Sequence, residues 1–207
     1  MNIFIPYKTY PGKINMSIDI ALLNCAIENK IDFILRLYGW NHPTITLGRN
    51  QKQESLNQTF CKKNNVELVK RPTGGRALLH DNELTYSFIC PENSINKGHS
   101  VIGSYKEICE ALIIAFQNIG IKLEHSDTKK ITDNPYCMDI STGADLRYKN
   151  KKFIGSAQFR KKGYILQHGS MPIDIEHKLI NNIFGTEKSL SSLPSIMSSN
   201  RNFFLTR

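Results

Sequence analysis

The chain has 207 residues, 40% of them hydrophobic and 22% charged, and its formal net charge at pH 7 is +9. This length suits one domain with a sizeable core, and no apolar run approaches the roughly 20 residues that span a bilayer. The first residues lack the apolar centre and cleavage site of a signal peptide, so we expect a cytoplasmic protein that does not associate with membranes.

The first half of the chain predicts one helix and several strands. Residues 15–30 predict a helix with Ile18, Leu22, Ala26 and Ile27 on its buried face, and with Asp19 near its start, where the helix dipole favours an acid. Alternating apolar residues predict a strand over 33–39 and a short partner over 43–47. Further strands are predicted over 66–69 and 84–90, on either side of a glycine-containing loop.

The second half predicts a core helix and an antiparallel group of strands. The helix covers 100–119, with Gly120 as its C-cap. Strands are predicted over 144–148, 152–159 and 164–171, with turns at Asn150 and Gly163. A short helix over 175–184 is closed by Gly185. The fold class is therefore α+β, a mixed, largely antiparallel sheet flanked by helices, with a catalytic domain over 1–185 and a loosely ordered tail over 186–207.

The loop 71–76 reads Arg-Pro-Thr-Gly-Gly-Arg and matches neither a dinucleotide fingerprint nor a P-loop. Gly74 and Gly75 allow the backbone to approach a ligand closely, and Arg71 and Arg76 add donors for a carboxylate or phosphate. The alternative is a tight turn with solvated arginines. His80 follows, either as a substrate contact or in a structural hydrogen bond, with Asp81 and Glu83 available to orient it or facing water.

Lys152 is the last residue of a basic cluster, and charge runs usually face solvent. The small residues Gly155, Ser156 and Ala157 follow on the same predicted strand and mark a place where a ligand or another backbone packs closely. Lys152 could therefore also reach inward and stabilise charge on an acyl oxygen.

Five cysteines stand at irregular spacing without a CxxC pair: Cys25, Cys61, Cys90, Cys109 and Cys137. This pattern argues against a disulfide framework and a zinc site, so we expect free thiols and no metal. Cys137 lies just before the predicted strand group. It is a candidate nucleophile in a basic chain, with a small buried hydrophobe as the alternative.

Together these segments resemble the biotin/lipoate protein ligase superfamily, in its branch of lipoate–protein ligase A and the octanoyltransferases. The resemblance covers residues 15 to about 175 and rests on four segments: Asn15-Met-Ser-Ile-Asp-Ile-Ala-Leu-Leu23, Tyr38-Gly-Trp to Leu-Gly-Arg49, the glycine loop with the strand to Ser87, and Lys152-Phe-Ile-Gly-Ser-Ala-Gln with Gln167-His-Gly-Ser170. It implies an acyl tunnel over a mixed sheet.

The resemblance also implies roles for single residues. Arg71, Gly74, Gly75 and His80 would border the carboxyl end of the acyl chain, and Lys152 would contact its carbonyl. Arg76 and the small-residue segment would complete the substrate-binding residues on this side. His168 and Gly169 would contribute from the Gln-His-Gly-Ser segment.

Two chemistries occur among proteins of this kind. Ligases activate free lipoate with ATP and Mg²⁺, whereas cysteine-dependent transferases move octanoate from acyl carrier protein to a lipoyl-domain protein such as glycine-cleavage H protein, without a cofactor. Cys137 stands in Pro-Tyr-Cys-Met-Asp, which is similar to the Pro-Ala-Cys-Phe nucleophile segment of the transferases but departs from it at Tyr136 and Met138.

We therefore expect an octanoyltransferase using Cys137 and Lys152, and the short segment after Gly185 favours this choice because similar ligases often carry a C-terminal accessory domain. A ligase is the alternative, and a non-catalytic lipoyl-domain-binding module is a third possibility. Both protein partners are typically acidic, which would explain the positive charge without nucleic acid.

Overall fold

The computed structural model describes residues 1–53, 56–126, 145–149, 151–174 and 176–185. In chain order its strands and helices are β1 (Asn2–Tyr10), α1 (Gly12–Asn29), β2 (Phe33–Trp40), β3 (Thr44–Leu47), α2 (Gln58–Lys63), β4 (Glu67–Lys70), β5 (Leu78–His80), β6 (Glu83–Pro91), α3 (Val101–Gln117), β7 (Glu124–His125), β8 (Leu146–Tyr148), β9 (Lys151–Lys161), β10 (Tyr164–Pro172) and α4 (His177–Phe184). None of these helices is long and apolar enough to cross a membrane.

A large sheet of seven strands, in the order β1-β2-β6-β10-β9-β8-β7, forms the main layer of the described chain. Its strands pair antiparallel except for β1 and β2, which run parallel. This confirms the predicted α+β class with a mixed, largely antiparallel sheet. The predicted strand group β8-β9-β10 is also confirmed, and Lys162 and Gly163 make its second turn with φ angles of 47° and 75°. Asn150 lies outside the described residues.

A small second sheet, in the order β4-β3-β5, stands beside the large one. Its apolar side chains form one core cluster with Cys61 of α2 and with Leu179, Ile180, Ile183 and Phe184 of α4. The predicted last helix is confirmed over His177–Phe184, and Gly185 ends it in the left-handed conformation. The predicted tail over 186–207 lies outside the described residues.

The buried residues of helix α1 differ from the predicted ones. Its inward side carries polar Asn15 and Asp19 together with Met16, Leu23 and Ala26, while Ile18, Leu22 and Ile27 are only partly buried. Asp19, which was expected near the start of the helix, is fully buried. The cause is its partner on β2: Nη1 of Arg36 donates to Oδ1 of Asp19 over 2.7 Å, with Arg36 only 2% exposed.

Four elements escaped sequence analysis, namely β1, α2, β5 and β7. The N-terminal strand β1 lies at the edge of the large sheet, with an irregular register between Ile5 and Lys8, next to Pro6. β5 has only three residues and α2 has six, so neither is long enough to show a clear hydrophobic period.

We predict that Asp19→Asn destabilises the fold strongly. The change leaves the buried Arg36 without its carboxylate partner, and breaking a buried ion pair from one side costs about 3–5 kcal/mol. Urea unfolding measures the loss. Glu28→Gln, on an exposed position of the same helix, is the matched control and should change the free energy of unfolding by less than about 0.5 kcal/mol. Equal effects of the two variants would contradict this account of α1.

Candidate functional site

A pocket lies where α1, the large sheet and the small sheet meet, and it contains about 390 Å³ of empty space including its open mouth. Strands β9 and β10 supply one wall through small residues, and β3 and β5 supply part of the opposite one. The lining residues are Met16, Tyr38, Trp40, Thr46, Arg71, Leu78, His80, Thr85, Gly155, Ser156, Ala157, His168, Gly169 and Ser170.

One chain of hydrogen bonds connects α1 to the glycine loop through His168. Nδ1 of His168 donates to Oδ2 of Asp19 over 3.2 Å, and the Thr73 hydroxyl donates to Nε2 of His168 over 2.8 Å. Thr73 in turn accepts from Nε of Arg71 at 3.1 Å. Because the carboxylate of Asp19 can only accept, the neutral imidazole carries its hydrogen on Nδ1, and Nε2 is the acceptor that faces the Thr73 hydroxyl.

A second chain has the same order of groups and ends on the same arginine. Nδ1 of His80 donates to Oε1 of Glu83 over 2.8 Å, and Nε2 of His80 is hydrogen-bonded to the Thr46 hydroxyl at 2.8 Å. Nη1 of Arg71 donates to Oγ1 of Thr46 over 3.2 Å. Two carboxylate–histidine–threonine chains therefore meet at Arg71, one from α1 and β10, the other from β6 and the small sheet.

Arg71 donates from all three of its nitrogens within the protein. Nη1 also binds the Thr46 carbonyl, and Nη2 binds the carbonyls of Gly74 and Arg76 at 2.8 and 2.7 Å. Its side chain is buried. The expectation that this arginine offers donors to a carboxylate or phosphate is therefore corrected: it lines the pocket, but its guanidinium holds the loop in shape.

Glu83 organises the end of the pocket beside Trp40. Its carboxylate accepts from Nε1 of Trp40 at 3.1 Å, from the Thr85 hydroxyl at 2.5 Å and, through Oε2, from the Ser170 hydroxyl at 2.6 Å. The Trp40 ring stacks on His80 with centroids 4.1 Å apart. Glu83 thus orients His80, as one of the sequence alternatives had it, and is buried, whereas Asp81 is only partly buried.

The polar side chains that line the pocket are hydrogen-bonded to other groups of the protein. The two histidines, the threonines and Ser170 all have partners within the protein. The surfaces left to contact a ligand are largely the ring faces of Trp40 and His80, the side chains of Met16 and Leu78, and the small residues of β9. Such a lining suits an alkyl chain, since a charged group would find few unused donors there.

The glycine loop packs tightly on the turn that follows β3. A Cβ on Gly48 would lie 1.9 Å from the carbonyl oxygen of Gly75, and Gly75 itself has a φ of +95°. A Cβ on Gly74, by contrast, would have no neighbour within 4 Å. Gly74 and Arg76 bind Arg71, a lining residue, through their carbonyls. Neither they nor Gly75 are among the lining residues of the pocket.

The small residues Ser156 of β9 and Gly169 of β10 pack against Tyr86. The Ser156 hydroxyl lies 2.8 Å from the Tyr86 hydroxyl, which also accepts from Nε2 of Gln167 at 2.8 Å. A Cβ on Gly169 would lie 2.4 Å from the Tyr86 ring. Gly155, Ser156, Ala157, His168 and Gly169 are all brought to the pocket wall.

Lys152 is largely buried, so the solvated interpretation is wrong for this residue, whereas Lys149 of the same cluster is exposed. The Lys152 side chain is 10% exposed, and its Nζ lies 3.0 Å from Oδ2 of Asp145, whose side chain is 3% exposed. Lys152 stands three residues before Gly155 on the same strand, and it is not among the described lining residues of the pocket. Cys137 lies outside the described residues.

Burial sets the protonation of several groups at the site. Desolvation lowers the pKa of His168 despite the opposing effect of Asp19, which agrees with its neutral tautomer. Desolvation and the charge of Asp19 raise the pKa of Tyr38. Burial also raises the pKa of the Cys109 thiol to about 12. The four described cysteines are free thiols, as predicted, and of these Cys25 is exposed.

Sequence analysis missed several residues of the network: Asp19 as a buried group, Arg36, Trp40, Thr46, Thr73 and Ser170. A signal existed only for α1, where Asn15 and Asp19 stand one helical turn apart and could have marked a polar buried stripe. The threonines and Ser170 carry no pattern that separates them from ordinary strand and loop residues.

Comparison with known proteins identifies the family to which this chain belongs. A family model described as the lipoyl protein ligase A/B catalytic domain matches residues 11–202. Octanoyltransferase LipM of Carboxydothermus hydrogenoformans is 41% identical over 175 residues, which cover 84% of this chain and 65% of that protein. Octanoyltransferase LipM of Bacillus subtilis is 37% identical over 180 residues, or 82% of this chain and 64% of that one. The chain thus spans less than two thirds of the length of these relatives.

Solved structures show the same fold. A putative lipoate protein ligase of T. acidophilum with bound lipoic acid superposes with a TM-score of 0.70 at 21% identity, over 88% of this chain and 72% of that one. P. falciparum LipL1 in complex with lipoate also gives 0.70, at 22% identity, over 97% of this chain and 55% of that one.

We predict that Gly75→Ala damages the loop while Gly74→Ala does not. A methyl group at Gly75 meets Nη2 of Arg71 at 2.8 Å in a backbone conformation that L residues rarely adopt, whereas the position at Gly74 is open. Gly75→Ala should lower the free energy of unfolding, measured with urea, by about 1–3 kcal/mol, the usual cost of a strained backbone conformation. Gly74→Ala should change it by less than about 0.5 kcal/mol. Equal unfolding free energies of the two variants would show that the loop does not require glycine at position 75.

We also predict a pH dependence of stability that originates in His168. Because its pKa is lowered in the folded state, the unfolded chain binds more protons once the pH falls below the ordinary histidine value of about 6.5. The stability from the neutral ring is complete above that pH and declines below it, by at most about 1.4 kcal/mol per pH unit.

Chemical unfolding between pH 5 and 8 measures this slope. His168→Gln should flatten it, whereas His99→Gln, at a side chain that is 79% exposed, should leave it unchanged. A wild-type slope retained in His168→Gln would contradict the assignment of a neutral His168.

Proposed function

Because the chain belongs to the lipoyl protein ligase A/B catalytic domain family, we propose that it is an octanoyltransferase of protein lipoylation. It takes an octanoyl group from the thioester of acyl carrier protein and delivers it to a lysine of a lipoyl-domain protein. The observation that carries the proposal is the 35–41% identity to relatives named octanoyltransferase. The pocket supports it, because its polar groups are mutually bonded and an alkyl chain fits what remains.

The reaction proceeds in two steps through Cys137. Its thiolate attacks the thioester carbon of the donor, a new carbon–sulfur bond forms, and the donor's own carbon–sulfur bond breaks with release of the carrier thiol. The uncharged amine of the target lysine then attacks the acyl-cysteine, forms an amide and expels the Cys137 thiolate, while the surplus proton passes to solvent. An amide is more stable than a thioester, so the second step runs downhill.

Lys152 supplies positive charge to the carbonyl oxygen in both steps. A negative charge develops on this oxygen in each tetrahedral intermediate, and a fixed cation in a poorly solvated site stabilises it effectively. The glycine loop borders the same end of the acyl chain, with backbone N–H groups near Gly74 and Gly75 as further donors. His80 and His168 shape the pocket and hold the loop through Thr46 and Thr73.

Two alternative functions would give different experimental results. An ATP-dependent lipoate ligase would use the same pocket without Cys137, with ATP and Mg²⁺ as cosubstrate and metal. The resemblance to solved lipoate ligases, at 20–22% identity, concerns the fold. A non-catalytic module would bind lipoyl domains and catalyse neither reaction.

We predict that octanoyl-acyl carrier protein, without ATP, adds one octanoyl mass to Cys137. Neutral hydroxylamine should release the adduct, because it cleaves thioesters readily and amides poorly. Cys137→Ser should lose nearly all turnover, since a hydroxyl offers almost no anion at neutral pH without a dedicated base. Cys25→Ser, which alters an exposed thiol, is the control and should keep its activity.

The alternatives give different results in the same assay. Pyrophosphate release from ATP with free octanoate or lipoate, and full activity of Cys137→Ser, would establish the ligase. Binding of a lipoyl domain with neither adduct nor pyrophosphate would establish the non-catalytic module. Mass spectrometry of the intact protein and of its peptides distinguishes the three.

A further inference from the structure

The ion pair between Asp145 and Lys152 differs from the surface pairs of this protein. Its two side chains are 3% and 10% exposed, whereas those of Lys122 and Glu124, whose charged atoms lie 3.8 Å apart, are 50% exposed or more. A buried lysine without a carboxylate tends to lose its proton, because burial disfavours the charged form. Asp145 supplies such a carboxylate, with its Oδ2 at 3.0 Å from Nζ of Lys152.

The backbone holds both members of the pair in one group of strands. Asp145 precedes β8, and its carbonyl accepts from the Ser126 backbone N–H at 2.9 Å, next to the pairing of His125 with Leu146. Lys152 lies near the start of β9. The β8–β9 register shifts at this place, where Leu146 pairs with Ile154 but Arg147 pairs with Lys152. Such irregularities re-aim side chains and are common beside active sites.

Resting on the proposed function, we infer that Asp145 is the positioning residue of Lys152 and keeps it as a cationic hydrogen-bond donor. A base or a nucleophile would have to be an uncharged amine, whereas the stabiliser of a carbonyl oxygen must be charged and fixed in place. An ammonium group has three N–H donors, so a bond to Asp145 is compatible with a second bond to the acyl oxygen. Asp145 acts through Lys152 and does not touch the substrate.

The position of Lys152 on β9 agrees with a role as a fixed donor to the acyl oxygen. β9 carries Lys152 at one end and continues through Gly155, Ser156 and Ala157 along the pocket wall. A side chain fixed near the start of this strand is therefore held in a constant relation to the wall against which the acyl chain would lie. Freed from its carboxylate, the long lysine side chain could adopt several rotamers.

The test compares Asp145→Asn with Glu124→Gln, a change to a half-exposed carboxylate on the neighbouring strand β7. The first measurement is acetylation by N-hydroxysuccinimidyl acetate, which requires an uncharged amine, with peptide mass spectrometry and exposed Lys62 as reference. Asp145→Asn should raise labelling of Lys152 relative to Lys62 by roughly tenfold, and Glu124→Gln should not change it. Unchanged labelling in Asp145→Asn overturns the inference.

The second measurement is octanoyl transfer, which separates this inference from the proposed function. Asp145→Asn should lower kcat by on the order of 100-fold with KM nearly unchanged, since the donor acts on the transition state. An unchanged kcat in this variant overturns the inference. If the wild type transfers no octanoyl group, the proposed function fails, while the labelling still decides whether Asp145 controls Lys152.

If Asp145→Asn does not fold, calorimetry shows a missing or strongly lowered Tm. A third variant then tests the inference. Asp145→Glu keeps the charge but displaces it by one methylene. Labelling of Lys152 should then stay within about twofold of wild type, while kcat falls by roughly tenfold because the ammonium is misplaced. Wild-type kcat in Asp145→Glu would show that residue 145 does not set the position of Lys152.

Discussion

The guanidinium group of Arg71 joins the two walls of the pocket. Through Thr73 and His168 it is connected to Asp19 on α1, and through Thr46 and His80 to Glu83 at the start of β6. The remaining donors hold the carbonyls of the glycine loop. The position of each histidine ring therefore depends on the same cation, which connects the loop to the small sheet and to the large sheet.

This arrangement places several charges where water is scarce. Burying a charge costs several kcal/mol unless it is paired and its hydrogen bonds are completed, and pairing often only balances that cost. Asp19 meets this condition by binding Arg36, Tyr38 and His168. Such groups add little net stability, but each has few alternative partners. The network therefore favours a single arrangement of the pocket, because any other arrangement leaves a buried charge unsatisfied.

The sequence allowed prediction of what is local and of what the family resemblance carries. Helix α3, the strands β8 to β10 and the αL end of α4 follow from periodicity and turn residues within short windows, and the fold class followed from their order. The network could not be predicted in this way, because Asp19 and His168 are 149 residues apart. Lys152 shows the limit most clearly: its neighbours in the sequence indicate solvent, whereas its largely buried side chain is paired with Asp145, the residue just before the adjacent strand β8.

Two buried cations, Arg71 and Lys152, illustrate why the side-chain chemistry matters. Arg71 has a rigid, planar fork of donors that can hold several carbonyls and hydroxyls at once, which suits a structural junction and leaves little for a ligand. Lys152 carries a compact charge on a flexible stem, and Asp145 restricts that stem while preserving the charge. A reacting carbonyl oxygen requires a point charge that can approach it from one direction, whereas a loop requires donors in several directions. The exchange of these two residue types would therefore fail at both positions, although the net charge would not change.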